Sequence, residues 1–431
     1  MFLRAVILVM LFVLSGLSNV FLAHSYENNV SNHSDKNNNL CTEKLYSENC
    51  YNVKNIKTTL NGFVLSGLSD LPTSKKKNNF YGQAFISLDV NTITKSGLEY
   101  GGLIEIVAQK RSMINFKEEA ALNCVKLSGN CSNESSSTQS NFGHEAQFNY
   151  NRDNLNNQIQ TSLEAASFYL RSQYGDFFIG SDVGAAYLFS MGKPDIYSLG
   201  ASGSAIDYTG LNSVRTKNNI TGKAKKIIYT SPRLFGDKIG FGLEYGISYA
   251  PNFNACGIEY CVKKRIEEVE IKDRVNLKDA IELGVAIDKI YNNGLMFEIA
   301  MSYAHAKNIN VAGDFNNLNA WNFGYKVIYN KFTLSSSYLK SNNALKYGDY
   351  IAWDGGAIWK PGRLGVSMSY GKSLERNIYR KTSYSLAGLS YEFNDYILSA
   401  GLQYIKRKQT NLNELHINKL TKPFIHIKYE F

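Results

Sequence analysis

Residues 425–431 read Ile-His-Ile-Lys-Tyr-Glu-Phe. Ile425, Ile427, Tyr429 and Phe431 fall on one parity, and His426, Lys428 and Glu430 on the other. This two-residue period is that of a strand with one apolar and one polar face. The same theme recurs upstream. In 279–290, Ile281, Leu283, Val285 and Ile287 oppose Glu282, Gly284, Ala286 and Asp288. In 238–250, Ile239, Phe241, Leu243, Tyr245, Ile247 and Tyr249 oppose Gly240, Gly242, Glu244, Gly246 and Ser248. In 364–373, Leu364, Val366, Met368 and Tyr370 oppose Gly365, Ser367, Ser369 and Gly371. Runs of about ten residues break at Asn, Gly, Asp or Pro, the residues that punctuate strands.

Length and facing separate two all-β classes. Strands of soluble sandwiches average about five or six residues and turn a charged face to water. These runs are near the ~9–11 residues that cross a bilayer at a tilt. Their second face is Gly and Ser more than Lys and Glu, as a water-filled interior requires. Tyr249, Tyr303, Tyr329, Tyr338, Trp359, Tyr404 and Phe431 end apolar faces on an aromatic ring, as bilayer interfaces favour. Lipid leaves no backbone group unpaired, so strands span it only as a closed barrel. The expected fold is therefore all-β, a transmembrane antiparallel barrel. Strand centres fall near residues 62, 85, 104, 168, 180, 227, 244, 285, 300, 325, 336, 355, 368, 387, 401 and 427, which makes sixteen. Tight turns are expected at 174–176, 291–294, 330–331, 360–363 and 394–395, alternating with longer polar loops at 111–161, 184–217, 251–278, 307–319 and 407–421. Residues 142–150 are placed in the 111–161 loop as an ambiguous extended piece.

Composition narrows the alternatives. The chain has 431 residues, 44% of them hydrophobic, with 29 Tyr and 23 Phe and a mean hydropathy of −0.26. A single apolar stretch, at the amino terminus, excludes a polytopic helical membrane protein. The balance of 47 Lys+Arg against 37 Asp+Glu, a formal +10, invites a nucleic-acid reading. Alternation argues against it. It turns Asp89, Glu99, Glu105, Glu244, Glu282, Asp288, Glu298 and Asp354 inward, against Lys57, Arg171, Lys226, Lys326 and Lys428. The surplus lysines then fall mostly to loops and turns, the lumen tends acidic, and a weak cation preference follows. No nucleic-acid partner is expected. Lys263–Arg274 and Lys75–Lys77 read as solvated loop charge.

Residues 1–25 read as an export signal: Arg4, an apolar 5–14, and Ala23-His24-Ser25 before the cleavage point. An uncleaved anchor is the alternative. A polar extension, 26–55, precedes the barrel, 56–431. Six cysteines fall as close pairs, Cys41 with Cys50, Cys124 with Cys131 and Cys256 with Cys261, without metal-ligand spacing. In an oxidising compartment neighbour disulfides are the expectation and free thiols the alternative.

Two stretches bring a family into view. Residues 168–182 (FYLRSQYGDFFIGSD) resemble the strand-turn-strand before the constriction loop of Gram-negative general porins. Residues 228–249 (IYTSPRLFGDKIGFGLEYGISY) resemble their Tyr-x-Ser-Pro turn and the aromatic strand after it. The final Phe431, with Tyr429 and Ile427, resembles the insertion signal read by the outer-membrane barrel assembly machinery. The likeness is greatest to alphaproteobacterial porins, and the polar extension and cysteines depart from it. It implies a sixteen-stranded barrel in the outer membrane, commonly a homotrimer, with its third long loop, 184–217, folded into the lumen. Asp195 and Asp207 would form that loop's acidic side, with Lys193 neutralising part of it. Arg171 and Lys226 would oppose them on the wall, which also carries Glu244, Glu282 and Asp288. The implied function is passive diffusion of small hydrophilic solutes and ions.

Alternatives are a surface adhesin or antigen using loops 111–161 and 251–278, or a barrel enzyme. The sequence holds no GxSxG or HExxH. Gly371-Lys372-Ser373 ends a stretch with the wrong glycine spacing for a phosphate loop. Neither catalysis nor a cofactor or metal is expected.

Overall fold

The structure, a computed structural model, describes residues 56–69, 80–111, 139–141, 160–197, 214–219, 221–235, 241–254, 261–263, 276–309, 316–342, 344, 349–376, 380–411 and 414–431. The strands in chain order are β1 (Ile56–Ser69), β2 (Phe80–Ile93), β3 (Glu99–Arg111), β4 (Gln139–Asn141), β5 (Gln160–Ser172), β6 (Gly175–Ser181), β7 (Lys225–Thr230), β8 (Phe241–Asn254) and β9 (Cys261–Lys263). They continue with β10 (Asn276–Ile290), β11 (Met296–Asn308), β12 (Leu318–Tyr329), β13 (Phe332–Ser341), β14 (Tyr350–Trp359), β15 (Leu364–Glu375), β16 (Arg380–Phe393), β17 (Tyr396–Asn411) and β18 (Glu414–Glu430). All but β4 and β9 join one closed antiparallel barrel of sixteen strands. The last strand closes on the first, from Phe63↔Glu430 to Ser69↔Phe424. Beyond that register, Gly62 and Phe431 exchange backbone hydrogen bonds at 3.0 and 3.1 Å, so the chain's final residue completes the seam.

The alternation read in the sequence becomes two faces. On β10, Ile281, Leu283 and Ile287 are 43%, 44% and 38% exposed, whereas Glu282 is 2% exposed. Each barrel strand is paired with a neighbour on both sides, and the apolar side chains can face hydrocarbon without cost. Aromatic rings frame this outer band. Tyr329, Phe332, Trp359, Phe393 and Tyr396 stand outward at the turn end, and Tyr249, Tyr303, Trp321, Trp353 and Tyr370 toward the loop end. The turns are short because they reverse the chain in two to five residues. Asn330 and Asn394, each at φ 51°, open the two-residue reversals into Lys331 and Asp395. Asparagine tolerates this left-handed backbone.

One expected loop is not a loop. In 407–421, β17 and β18 stay paired through Arg407↔Asn418, Lys408↔Ile417 and Gln409↔His416 to Asn411↔Glu414. The hairpin continues after its outer face has turned polar. Backbone pairing needs no apolar face, whereas the sequence pattern registers only the lipid-facing part. β4 and β9 pair with each other through Ser140↔Val262, joining the two loops that carry the second and third cysteine pairs.

The expected pairs, Cys41 with Cys50, Cys124 with Cys131 and Cys256 with Cys261, fall outside what the structure describes. Cys41, Cys50, Cys124, Cys131 and Cys256 lie outside the described residues, and of Cys261 only the backbone is described. The segments 1–25 and 26–55, Lys75–Lys77 and residues 142–150 also lie outside them.

Candidate functional site

Of the chain between β6 and β7, residues 182–197 and 214–219 contact side chains of the wall strands. Its outbound limb starts with Asp182 and a single helical turn, Ala185–Leu188. The Ala185 N–H donates to Ser248 Oγ at 3.0 Å, and Ser248 Oγ donates to Glu282 Oε2 at 2.6 Å. Ser190 Oγ lies 2.9 Å from Ser302 Oγ, and Ser335 Oγ donates to the Gly192 carbonyl at 2.8 Å. Lys193 Nζ donates to Ser369 Oγ at 3.3 Å and lies 3.8 Å from Asp195. Asp195 Oδ1 accepts from the Tyr197 N–H at 2.8 Å. Tyr197, 1% exposed, receives Ser367 Oγ at 3.0 Å and meets Phe424 edge-on at 5.2 Å. Burial pushes its phenol up to about 12, so it stays a neutral hydroxyl.

The return limb lies against the same strands. Tyr350 Oη accepts the Arg215 N–H at 2.7 Å and donates to the Arg215 carbonyl at 3.0 Å. Thr216 Oγ1 donates to Asp354 Oδ2 at 3.0 Å, and Asn322 Nδ2 donates to the Thr216 carbonyl at 2.5 Å. Lys217 Nζ sits 4.9 Å from the Tyr187 ring, which joins the two limbs. Burial pulls the Lys217 ammonium below its ordinary value, and Asp354 opposes that pull.

Inner-face glycines are the sockets for the outbound limb. A Cβ on Gly246 or Gly284 would come within 2.5 Å of Phe189, and one on Gly324 within 2.5 Å of Met191 Cβ. A Cβ on Gly388 would stand 2.6 Å from Tyr197 Oη, and one on Gly365 3.5 Å from Ile196 Cδ1. Side chains of the loop occupy the volume that any larger wall residue would fill. The loop ends are also clasped. Lys223 Nζ reaches Glu164 at 3.6 Å and Asp182 at 3.9 Å, and Lys226 Nζ donates to Thr221 Oγ1 at 2.6 Å and the Gly222 carbonyl at 2.8 Å. Thr221 Oγ1 in turn donates to Glu282 Oε1 at 2.6 Å.

The residues singled out in the sequence therefore have different surroundings. Glu282 is buried, taking hydrogen bonds from the wall and from the loop. Lys226 is 3% exposed, so its ammonium holds the 221–222 turn instead of meeting water. Arg171 lies 4.2 Å over the Tyr169 ring, between Glu99 at 3.4 Å and Asp176 at 3.6 Å. Asp288 is gripped by Arg233 through contacts of 3.1 and 2.5 Å, and Glu244 is half-exposed two register steps away. Asp207 lies outside the described residues. Among the described residues, none of the limb contacts falls on β2 or β3, where Gln83, Ser87, Asp89, Leu103 and Glu105 remain half-exposed. Sequence reading missed Phe189, Met191, Tyr350, Asn322 and the glycine sockets. The alternating glycines were visible, but they read as a small-residue lumen face because their loop partners are remote in sequence.

A family model for Gram-negative porins matches residues 57–413. The chain belongs to the Gram-negative porin family. Two solved structures share its fold. OmpF of Salmonella typhi, solved in complex with daunomycin, is 15% identical with a TM-score of 0.54, covering 88% of this porin and 99% of OmpF. A further refined porin structure is 14% identical with a TM-score of 0.51, covering 87% of this chain and 100% of the other. No curated protein matches the sequence. Membership of the Gram-negative porin family supports an outer-membrane channel for small solutes rather than an enzyme.

Proposed function

We propose that this porin lets small hydrophilic solutes and ions diffuse passively through its lumen, with 182–197 and 214–221 as the constriction. The observation that carries the reading is the run of limb contacts on β8, β10–β16 and β18, which thickens that side of the wall. The half-exposed inner positions of β2 and β3 then line the water path. Solutes meet Asp89, Glu99 and Glu105 there, with Lys57 and Arg171 as the nearby bases. Lys226 drops out of the wall charges that a solute meets, because its ammonium is covered. Acid exceeds base along this path, which favours a weak cation preference. Asp195 and Asp207 remain proposed as the loop's acidic side, with Lys193 beside Asp195. A homotrimer, export through a cleaved 1–25 signal and Phe431-dependent assembly belong to the same proposal.

Asp195→Asn is expected to shift the reversal potential in a salt gradient toward anions, and Asp207→Asn likewise. A planar bilayer under a KCl gradient measures both. Unchanged reversal potentials would remove these two carboxylates from the constriction.

A further inference from the structure

The +10 charge is not carried by loops and turns alone. Six lysines stand on the outward face of β13 to β18, close to the loop end. Lys340, Lys372, Lys381, Lys408 and Lys419 are exposed and Lys406 is half-buried, while their strand neighbours Leu339, Ser373, Thr382 and Arg407 are buried on the inner face. Strand register assembles them into two rows. One runs Trp353↔Lys372, Lys372↔Ser383, Ser383↔Lys406 and Lys406↔Lys419. The other runs Lys340↔Ile351, Ile351↔Leu374, Leu374↔Lys381 and Lys381↔Lys408. Strands lie about 4.8 Å apart, so both rows form one continuous basic patch.

We propose that this patch binds the phosphate groups of lipids in the surrounding leaflet. Its depth is right. It begins at Trp353, the register partner of Lys372, and two residues past Tyr370, rings of the belt that marks headgroup level, where a lysine no longer meets hydrocarbon. Among the described residues, no carboxylate stands on the outward face of β13–β18 near the loop end. Asp349, at the head of β14, is held by Arg376 at 3.0 Å, and Glu375 is buried against Arg380. The contrast lies on the same rim. On β10 and β11, Lys307 is paired with Asp279 at 3.5 Å, and Tyr249 Oη donates to Asp279 at 3.0 Å, so Lys307 there has a carboxylate partner of its own. A two-fold contact with a second copy is a poor occupant, because matching patches would set lysine against lysine. A face flanked by acyl chains also excludes a soluble acidic protein, whereas lipid phosphates reach this depth by default.

Native mass spectrometry of the full chain in micelles holding equal phosphatidylglycerol and phosphatidylcholine tests the proposal. The wild type is expected to retain phosphatidylglycerol preferentially. Replacing Lys372, Lys406 and Lys408 together by Gln should weaken that retention, by roughly fivefold for each lysine removed from an anionic surface. Lys307→Gln should leave it unchanged, and replacing the same three lysines by Arg should preserve it. Where the triple Gln variant lacks the gel mobility of a folded barrel, Lys408→Gln alone carries the test with about a fivefold loss. Equal retention of both lipids, no loss in the Gln variants, or an equal loss in Lys307→Gln would overturn the proposal. Displacement of the lipid by millimolar inorganic phosphate would also overturn it, because the patch would then be a general anion site.

Discussion

Gly284→Leu is expected to lower single-channel conductance and to make the open current flicker, while the barrel still folds. A Cβ at this position already reaches 2.5 Å from the Cβ and Cδ2 of Phe189, and leucine adds three more carbon atoms along that direction. The wall cannot yield, because Gly284 is locked between Gly246 on β8 and Ser302 on β11 by two ladders of backbone hydrogen bonds. The loop yields instead. Overpacking of this kind costs about 1–3 kcal/mol. The neighbouring anchors, Ser248 to Ala185 and Ser190 to Ser302, are worth roughly 0.5–1.5 kcal/mol each. The two magnitudes are comparable, so the limb near Phe189 is pushed toward the lumen and held there loosely. Gly355→Ala is the control, since the atoms nearest its Cβ are those of Ser336 and a Ser335 carbonyl on the neighbouring strand, at 3.3–3.4 Å. Single-channel recording compares the two. Equal conductance in Gly284→Leu and wild type would show that Phe189 does not set the limb's position.

Deleting Phe431 is expected to reduce the folded fraction on refolding by about an order of magnitude. The residue exchanges two backbone hydrogen bonds with Gly62 and lays its ring against that glycine, where a Cβ would stand 2.6 Å from Cζ. It also packs beside Tyr429 at 6.1 Å. The deletion leaves two Gly62 backbone groups unpaired at the seam, and in or near lipid each is worth more than the roughly 0.5–1.5 kcal/mol of an aqueous exchange. The barrel closes only when β18 meets β1, so a fault at this seam acts on the whole fold. Resistance of the folded band to detergent without heating gives the measurement. A deletion that refolds as completely as the wild type would remove Phe431 from barrel closure.

Much of the barrel was legible because a lipid-facing strand writes itself into sequence with period two. β10, β15 and β18 were readable from side-chain alternation alone, and Asn330-Lys331 and Asn394-Asp395 from turn chemistry. The far end of the β17–β18 hairpin was not, since its outer face is polar and only pairing defines it. The loop's place along the chain was legible, but its contacts were not. Phe189 and Gly284 are partners across ninety-five positions, and no local period connects them. Charge was the least legible. Parity placed Lys226 and Glu282 on the inner face, but burial beneath the loop depends on tertiary contacts. The outward lysines of β15–β18 were read as loop charge because the apolar pattern fades where they begin.

The central claim is that a water-filled path runs beside the docked loop. Conductance of the refolded wild-type protein in a planar bilayer tests it most directly. Stepwise insertion of ohmic channels, with a reversal potential slightly favouring cations, is the predicted result. Protein that inserts as a folded barrel and carries no current would contradict it.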